Sequence, residues 1–129
     1  MDDAKFALVK AVIMKAWVRE TASPLVASKW EAENSSLGQC TVTALLIHEM
    51  MGGNIMRTVV PGLGSHYYNI LPDGSVCDLT RGQFPPGTKV PDGRVVERED
   101  VLCTDESKAV ATQERYALLL SRFMDLLLG

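Results

Sequence analysis

The spacing of apolar residues changes from a helical to a strand period near residue 53, and this change constrains the fold more than any other feature. Apolar residues recur at helical spacing over residues 4–18 and 112–129. Residues 54–61 and 65–80 instead carry β-rich runs, and the second run is interrupted by a Pro-Asp-Gly turn. The order of helices, then strands, then a final helix predicts an α+β fold with helices packed on a small antiparallel sheet.

Capping and turn signals divide the first half of the chain further. Ser23-Pro24 predicts an N-cap followed by a short helix through Trp30, and residues 31–38 predict a polar loop. A buried helix is predicted to begin near Cys40 and to end at Gly52-Gly53.

The segment between the hairpin and the last helix has mixed signals. Residues 81–94 are rich in Pro and Gly and predict an exposed loop that crosses the sheet edge. The sequence "VVERE" that follows predicts one more short strand. Cys103, in "VLCT", is expected in a buried, β-rich setting, and Cys77 is expected in the core.

Composition bounds the class of protein. The 129 residues are 47% hydrophobic and 22% charged, which predicts a single globular domain over residues 1–129. The formal charge of −3 with no basic run argues against a nucleic-acid partner. The acidic start is unlike a secretory signal, and every apolar run is shorter than the roughly 20 residues that span a bilayer. The three cysteines include no CxxC pair, so we expect reduced thiols in a cytoplasmic protein that does not bind membranes.

Cys40 stands at the predicted start of a helix, in the sequence Gly-Gln-Cys. The first amides of a helix have no partner in the helix and carry partial positive charge, so a thiolate at this position is stabilised. In the alternative interpretation, Cys40 is a small apolar residue in a core stripe with Ala44, Ile47 and Met51. The spacing alone leaves both interpretations open.

A nucleophilic cysteine needs a base, and the chain contains two histidines. His48 lies further along the same predicted helix, about 12 Å from Cys40 along the axis, and is predicted to be a surface or packing residue. His66 follows a Gly-rich turn and begins a predicted strand, which makes it the candidate general base. Its alternative role is that of an ordinary sheet residue.

The predicted hairpin supplies an acidic partner for His66. A three-residue loop at residues 72–74, with a left-handed glycine in its third position, pairs Tyr68 with Asp78. This register places Asp78 on the His66 face, at the diagonal cross-strand position. A carboxylate there would hold the imidazole in one tautomer and support its charged form. A two-residue loop would instead place Asp78 on the opposite face, and Asp78 would then cap a turn.

An oxyanion site and a metal site are the remaining candidates. The Cys40 amide would donate to an oxyanion together with the side-chain amide of Asn34 or Gln39, although either side chain would equally serve as a cap. A zinc site would combine Cys40 and His66 with the other two cysteines, but no pair among them has the spacing of a zinc finger. We expect no metal and no cofactor.

The chain order of a helix-start Cys, a strand His and a strand Asp resembles that of the papain-like and transglutaminase-like cysteine hydrolases. The segments "GQCTVTALLIHEMMGGNIMR", "HYYNILPDGSVCDLT" with the following "GQF", and "ERYALL" are similar to the YunG-like family of small bacterial proteins, over roughly residues 30–120. The resemblance implies a cysteine-hydrolase-like α+β fold and a site made of Cys40, His66 and Asp78. In papain-like enzymes the oxyanion side chain is a glutamine several residues before the cysteine, and here that place holds Asn34.

These observations predict a thiol hydrolase or acyl transferase that acts on an amide or thioester of a peptide or small molecule. Cys40 would attack, His66 would move the proton, and Asp78 would orient His66. The alternative is a non-catalytic module of the same fold that binds a peptide or small ligand beside Cys40. In either case Trp30, the Tyr67-Tyr68 pair and the "GQFPPG" loop would line the cleft, although exposed aromatic residues serve interfaces equally well.

Overall fold

The computed structural model describes residues 2–129, so Met1, within the predicted domain span, lies outside the described residues. Five α-helices and four strands form in the described part: α1 Asp3–Ala16, α2 Cys40–Met51, β1 Asn54–Val60, β2 Gly64–Ile70, β3 Val76–Cys77, β4 Arg94–Val96, α3 Arg98–Cys103, α4 Asp105–Ala109 and α5 Thr112–Leu128. The strands pair in the antiparallel order β3-β2-β1-β4. The predicted class, helices on a small antiparallel sheet, is confirmed.

Helix α2 is surrounded by the other elements. Residues 42–47 are all buried, which is typical of a helix that is apolar on every side. One side packs against α1 and α5, where Ile13 and Phe123 are fully buried. The other side packs against β1 and β2, with Ile55 in contact with the middle of the helix. The first turn of α2, which carries Cys40, therefore lies where helices and sheet meet.

Two buried hydrogen bonds hold α2 in place. The side-chain amide of Asn69 on β2 donates to the Ala44 carbonyl at 3.0 Å. The Trp17 indole N–H, just after α1, donates to the Thr43 hydroxyl at 2.9 Å. Because buried polar groups are costly without partners, these bonds define both the depth and the rotation of the helix. The position of Cys40 relative to β2 depends on them.

The β2–β3 hairpin has the predicted three-residue register. Asn69 pairs with Cys77, as that register requires. Gly74 has φ +87°, and its N–H donates to the Leu71 carbonyl at 2.8 Å, which closes the turn. Because side chains alternate along a strand, Asp78 follows on the face opposite to Cys77.

The predicted helix from Ser23 to Trp30 is wrong. The segment forms turns and a single 3-10 turn, Ala27–Lys29. Short helices are stabilised mainly by a buried apolar face, and Leu25 is 81% exposed. The Ser23 N–H is instead bonded to the Gly38 carbonyl at 2.9 Å, which joins this segment to the turn before α2.

The expected buried, β-rich setting of Cys103 is also wrong, because Cys103 is exposed at the end of α3. The predicted strand is present as β4 but ends at Val96, and two short helices follow. Thr104 caps the second of them by accepting a hydrogen bond from the Ser107 N–H at 3.1 Å. Cys77 lies in the core, as predicted.

Among residues 2–129, no helix combines the length and the apolar character that a membrane-spanning segment needs.

Candidate functional site

Cys40, His66 and Asp78 come together where the start of α2 meets β2 and the end of β3. Cys40 is the first residue of α2 and is half-buried. His66 on β2 is 0% exposed, and its Nε2 lies 2.8 Å from Asp78 Oδ2. Asp78 directly follows β3, so the hairpin register brings the carboxylate to the ring. The structure thus assembles the three residues that the sequence singled out.

The second ring nitrogen of His66 is the one available to Cys40, because Asp78 occupies Nε2. This Nδ1 atom is buried and has no aligned hydrogen bond within the described residues. The Tyr67 backbone N–H and the Thr41 hydroxyl, 3.8 Å away, also contact the Cys40 sulfur. Contacts of this kind are often loose in unliganded sites and tighten when substrate binds.

The pKa values of the Cys40 thiol and the His66 imidazole are shifted in the directions that favour an ion pair. Burial raises the pKa of Cys40, but the contact and charge of His66, with smaller contributions from Tyr67 and Thr41, bring the pKa below its ordinary value. Burial lowers the pKa of His66, but Asp78 and Cys40 together raise it to about 9. Near neutral pH, the arrangement therefore favours a thiolate beside an imidazolium.

The other two cysteines lie in different surroundings. Cys77 is buried in the core, and burial raises its pKa to about 11. Cys103 is exposed on α3. Cys40 therefore differs from Cys77 in the direction of its pKa shift and from Cys103 in its enclosed position.

A cavity of about 440 Å³ opens beside Cys40. Tyr67, Gln83 and Phe84 line it, as expected for the first tyrosine of the pair and for the "GQFPPG" loop. Tyr68 and Trp30, which were also expected in the lining, lie outside it. The Phe84 ring packs edge-on against His66, with ring centroids 4.9 Å apart, and shields the imidazole from solvent. Cys40 is thus the member of the trio that faces the cavity.

The expectation that Gln39 supplies an oxyanion donor needs correction. Gln39 is 0% exposed, and both ends of its amide are bonded within the protein. Its Oε1 accepts from the Thr21 hydroxyl at 2.8 Å, and its Nε2 donates to the Val18 carbonyl at 2.9 Å. Gln39 therefore anchors the start of α2 to the segment after α1. Asn34 lies half-buried in a single 3-10 turn, Ala32–Asn34, outside the residues that line the cavity.

Gln83 and Arg115 also belong to the surroundings of Cys40, and neither was singled out as a candidate. The Gln83 Oε1 accepts from the Gly38 N–H at 3.1 Å, and its Nε2 donates to the Thr80 hydroxyl at 3.2 Å. Gln83 thereby joins the loop after Asp78 to the turn before Cys40. Arg115 occupies the buried stripe of α5, and an arginine on such a stripe is the signal that would have identified it.

Replacing Gly38 with alanine is expected to disturb the site through the start of α2. Gly38 has φ +74°, and an added Cβ would lie 2.6 Å from Val26 Cγ2. We expect Gly38→Ala to lower the free energy of unfolding by about 2–3 kcal/mol, through strain and overpacking, and to slow alkylation of Cys40. Urea unfolding and peptide mapping measure the two effects.

Gly62→Ala is the matched control, since Gly62 has a similar φ of +77° but nothing within 4 Å of an added Cβ. This control is expected to cost about 1 kcal/mol and to leave Cys40 reactivity unchanged. Equal losses in the two variants would mean that steric contact at Gly38 does not position Cys40.

Within residues 2–129, no three His, Cys, Asp or Glu side chains are grouped so that they would hold a metal ion. Cys77 in the core and Cys103 on the surface do not join Cys40 and His66 in such a group. The four residues of the zinc alternative are therefore not assembled.

The fold and the site together define an α+β protein with a Cys-His-Asp cluster at the start of a buried helix. The family model described as "YunG protein" matches residues 5–127, and the chain belongs to this family. The chain is 41% identical over 76 residues to "Uncharacterized protein YunG" of Bacillus subtilis (strain 168), a match over 59% of this chain. The match spans 60% of the length of that relative. No solved structure matches the chain.

Proposed function

We propose that this protein is a thiol hydrolase or acyl transferase that acts on an amide or thioester bound beside Cys40. One observation carries the proposal: a cysteine with a lowered pKa faces a cavity, while the histidine beside it is held by a carboxylate at 2.8 Å. These are the three requirements of nucleophilic catalysis by cysteine, namely a thiolate, a proton carrier and a group that orients the carrier. The similarity to the chain order of papain-like and transglutaminase-like hydrolases is part of the proposal.

In the first step, the Cys40 thiolate attacks the carbonyl carbon of the substrate, and a C–S bond forms. The protonated His66 gives its proton to the departing nitrogen or sulfur as the bond to the carbonyl carbon breaks. The products are an acyl-Cys40 thioester and a neutral amine or thiol. The backbone N–H groups of the first turn of α2 are the nearest helix-end donors for the negative charge on the carbonyl oxygen.

In the second step, His66 is neutral and accepts a proton from water or from an acceptor alcohol or amine. The activated oxygen or nitrogen attacks the acyl carbon, the C–S bond breaks, and the thiolate is restored beside the imidazolium. Asp78 acts as a positioning residue throughout, because its bond to Nε2 directs Nδ1 toward Cys40.

The expected test is acylation of Cys40 by p-nitrophenyl acetate. We expect one acetyl group on Cys40 by mass spectrometry, followed by release of more than one equivalent of p-nitrophenol as the thioester hydrolyses. The rate of acylation should rise with pH as the Cys40 thiol ionises, and this rise should occur at lower pH than for an ordinary cysteine, because the pKa of Cys40 is lowered. Release of a poor leaving group such as an amine should slow as His66 loses its proton near pH 9.

Cys77→Ser is the matched control, because it also removes one thiol but leaves the cavity intact, and Cys40→Ser should abolish the reaction. Acetyl transfer to the exposed Cys103 as fast as to Cys40 would overturn the proposal. In that case the protein is better described as a non-catalytic module that binds a peptide or small ligand beside Cys40.

A further inference from the structure

Arg115 is a buried cation in the wall of the Cys40 cavity. It lies on α5, is only 7% exposed, and lines the same cavity as Cys40. Charged side chains are rarely buried to this degree unless an opposite charge is paired with them. The position of Arg115 therefore calls for a chemical explanation.

The structure records no carboxylate partner for Arg115 among the described residues, whose ion pairs involve other side chains. Its Nε donates to the Val110 carbonyl at 2.8 Å and its Nη1 to the Thr21 carbonyl at 3.0 Å. Within residues 2–129, the third nitrogen, Nη2, donates to no other residue, so its two N–H groups are free for a ligand. The two backbone bonds hold the guanidinium in place, and they leave it without a carboxylate partner. Burial lowers the pKa of Arg115, and the charge of the Cys40 thiolate opposes this effect.

The lining of the cavity favours a small ligand with one anionic end. Leu63, Phe84 and Val110 give it apolar walls, and a volume of about 440 Å³ suits a small molecule or the end of a peptide. Glu106 also lines the cavity, but it is exposed, so water and salt screen its charge more than that of the buried guanidinium. The Cys40 thiolate lines the cavity too, but the His66 imidazolium beside it carries the opposite charge. Arg115 is therefore the buried positive charge in the lining that an anionic ligand meets.

We infer that the cavity selects an acyl substrate that carries a carboxylate a few bonds from the reacting carbonyl, and that Arg115 binds this carboxylate. The inference rests on the proposed function, since it assigns the substrate class of the same site. A guanidinium suits the role because its planar N–H groups match the two oxygens of a carboxylate. Neutral amides and thioesters of the same size would react more slowly.

Two alkylating reagents of nearly equal size test the inference. Iodoacetate carries a carboxylate and iodoacetamide is neutral, and with both the thiolate forms an S–C bond as iodide leaves. The measured quantity is the ratio of the two rates at each cysteine, by peptide mapping. We expect the iodoacetate to iodoacetamide ratio to be about tenfold higher at Cys40 than at the exposed Cys103, as a charge-assisted hydrogen bond would produce.

Arg115→Gln should lower the Cys40 ratio by about five- to tenfold, and Arg115→Lys should lower it less because the charge remains. The matched control is Arg122→Gln. Arg122 lies on the same helix, is half-buried, and donates from Nε to the Ala16 carbonyl at 2.7 Å, but it does not line the cavity. The control should leave the ratio unchanged, which separates binding of the anion from general loosening of α5.

The outcomes distinguish this inference from the proposed function. A Cys40 that reacts with iodoacetamide no faster than Cys103 overturns the proposed function itself. If Cys40 is reactive but its iodoacetate to iodoacetamide ratio in the unmodified protein is no higher than that of Cys103, the carboxylate inference is overturned and the proposed function is not. This outcome needs no variant. An elevated ratio that survives Arg115→Gln in a folded protein also overturns it, and assigns the preference to the charge of His66.

Discussion

His66→Ala is expected to slow alkylation of Cys40 by iodoacetamide by about tenfold near pH 6, because the pKa of the Cys40 thiol rises when the imidazole is removed. In the native site, burial raises the pKa of the thiol, and the contact and charge of His66, together with Tyr67 and Thr41, bring it below its ordinary value. Without the imidazole, burial dominates and the pKa moves above its ordinary value. The thiolate fraction then falls, although the higher intrinsic nucleophilicity of the remaining thiolate offsets part of the loss.

Rates measured over a range of pH by peptide mapping test this prediction, with His48→Ala as the matched control. His48 is on the same helix as Cys40 but contacts Arg98, where its Nδ1 lies 3.1 Å from Nη1. Its replacement should not change the Cys40 profile. Asp78→Asn should shift the profile less than His66→Ala, because Asp78 acts on the thiol through the ring. If the pH dependence of Cys40 alkylation is the same in His66→Ala as in the unmodified protein, the two side chains are not coupled.

Phe123→Ala is expected to cost about 3–5 kcal/mol in the free energy of unfolding, the largest stability effect among our predictions. Phe123 is 0% exposed and packs in the cluster shared by α1, α2 and α5. Removing the ring leaves a cavity that these helices fill only in part. Because α5 also carries Arg115, its looser packing should reach the Cys40 cavity as well.

Urea unfolding measures this cost, and Leu126→Ala on the same helix is its control. Leu126 is 46% exposed, so its truncation should cost less than about 1 kcal/mol. Costs of similar size in the two variants would mean that α5 is not held mainly by its buried face.

The hairpin register shows how much of the candidate site was open to sequence reasoning. The Pro-Asp-Gly sequence left a three-residue and a two-residue loop open, and the structure has the three-residue loop, which places Asp78 on the His66 face. The start of α2 at Cys40 followed in the same way from local signals at both ends of the helix. Each of these predictions depended on residues within one or two turns of the position concerned.

Predictions failed where the outcome depended on distant residues. A helix over residues 23–30 would need to bury an apolar face against the rest of the protein, and Leu25 is exposed instead. The direction of the Gln39 side chain depends on Thr21 and Val18, which are brought to it by the end of α1. Nothing near Gln39 in the sequence encodes those partners.

The sequence by itself determined the α+β class and the helix that begins at Cys40, because hydrophobic period and turn chemistry are local properties. It reduced the hairpin to two registers, one of which places His66 and Asp78 on the same face, and the structure decided between them. Only the tertiary structure decided that the Cys40 thiol meets the His66 ring, that Phe84 covers that ring, and that Arg115 reaches the same cavity. These contacts join α2, β2, the loop after β3 and α5. They arise from the packing of elements far apart in the chain, and packing depends on the burial and partners of every side chain together.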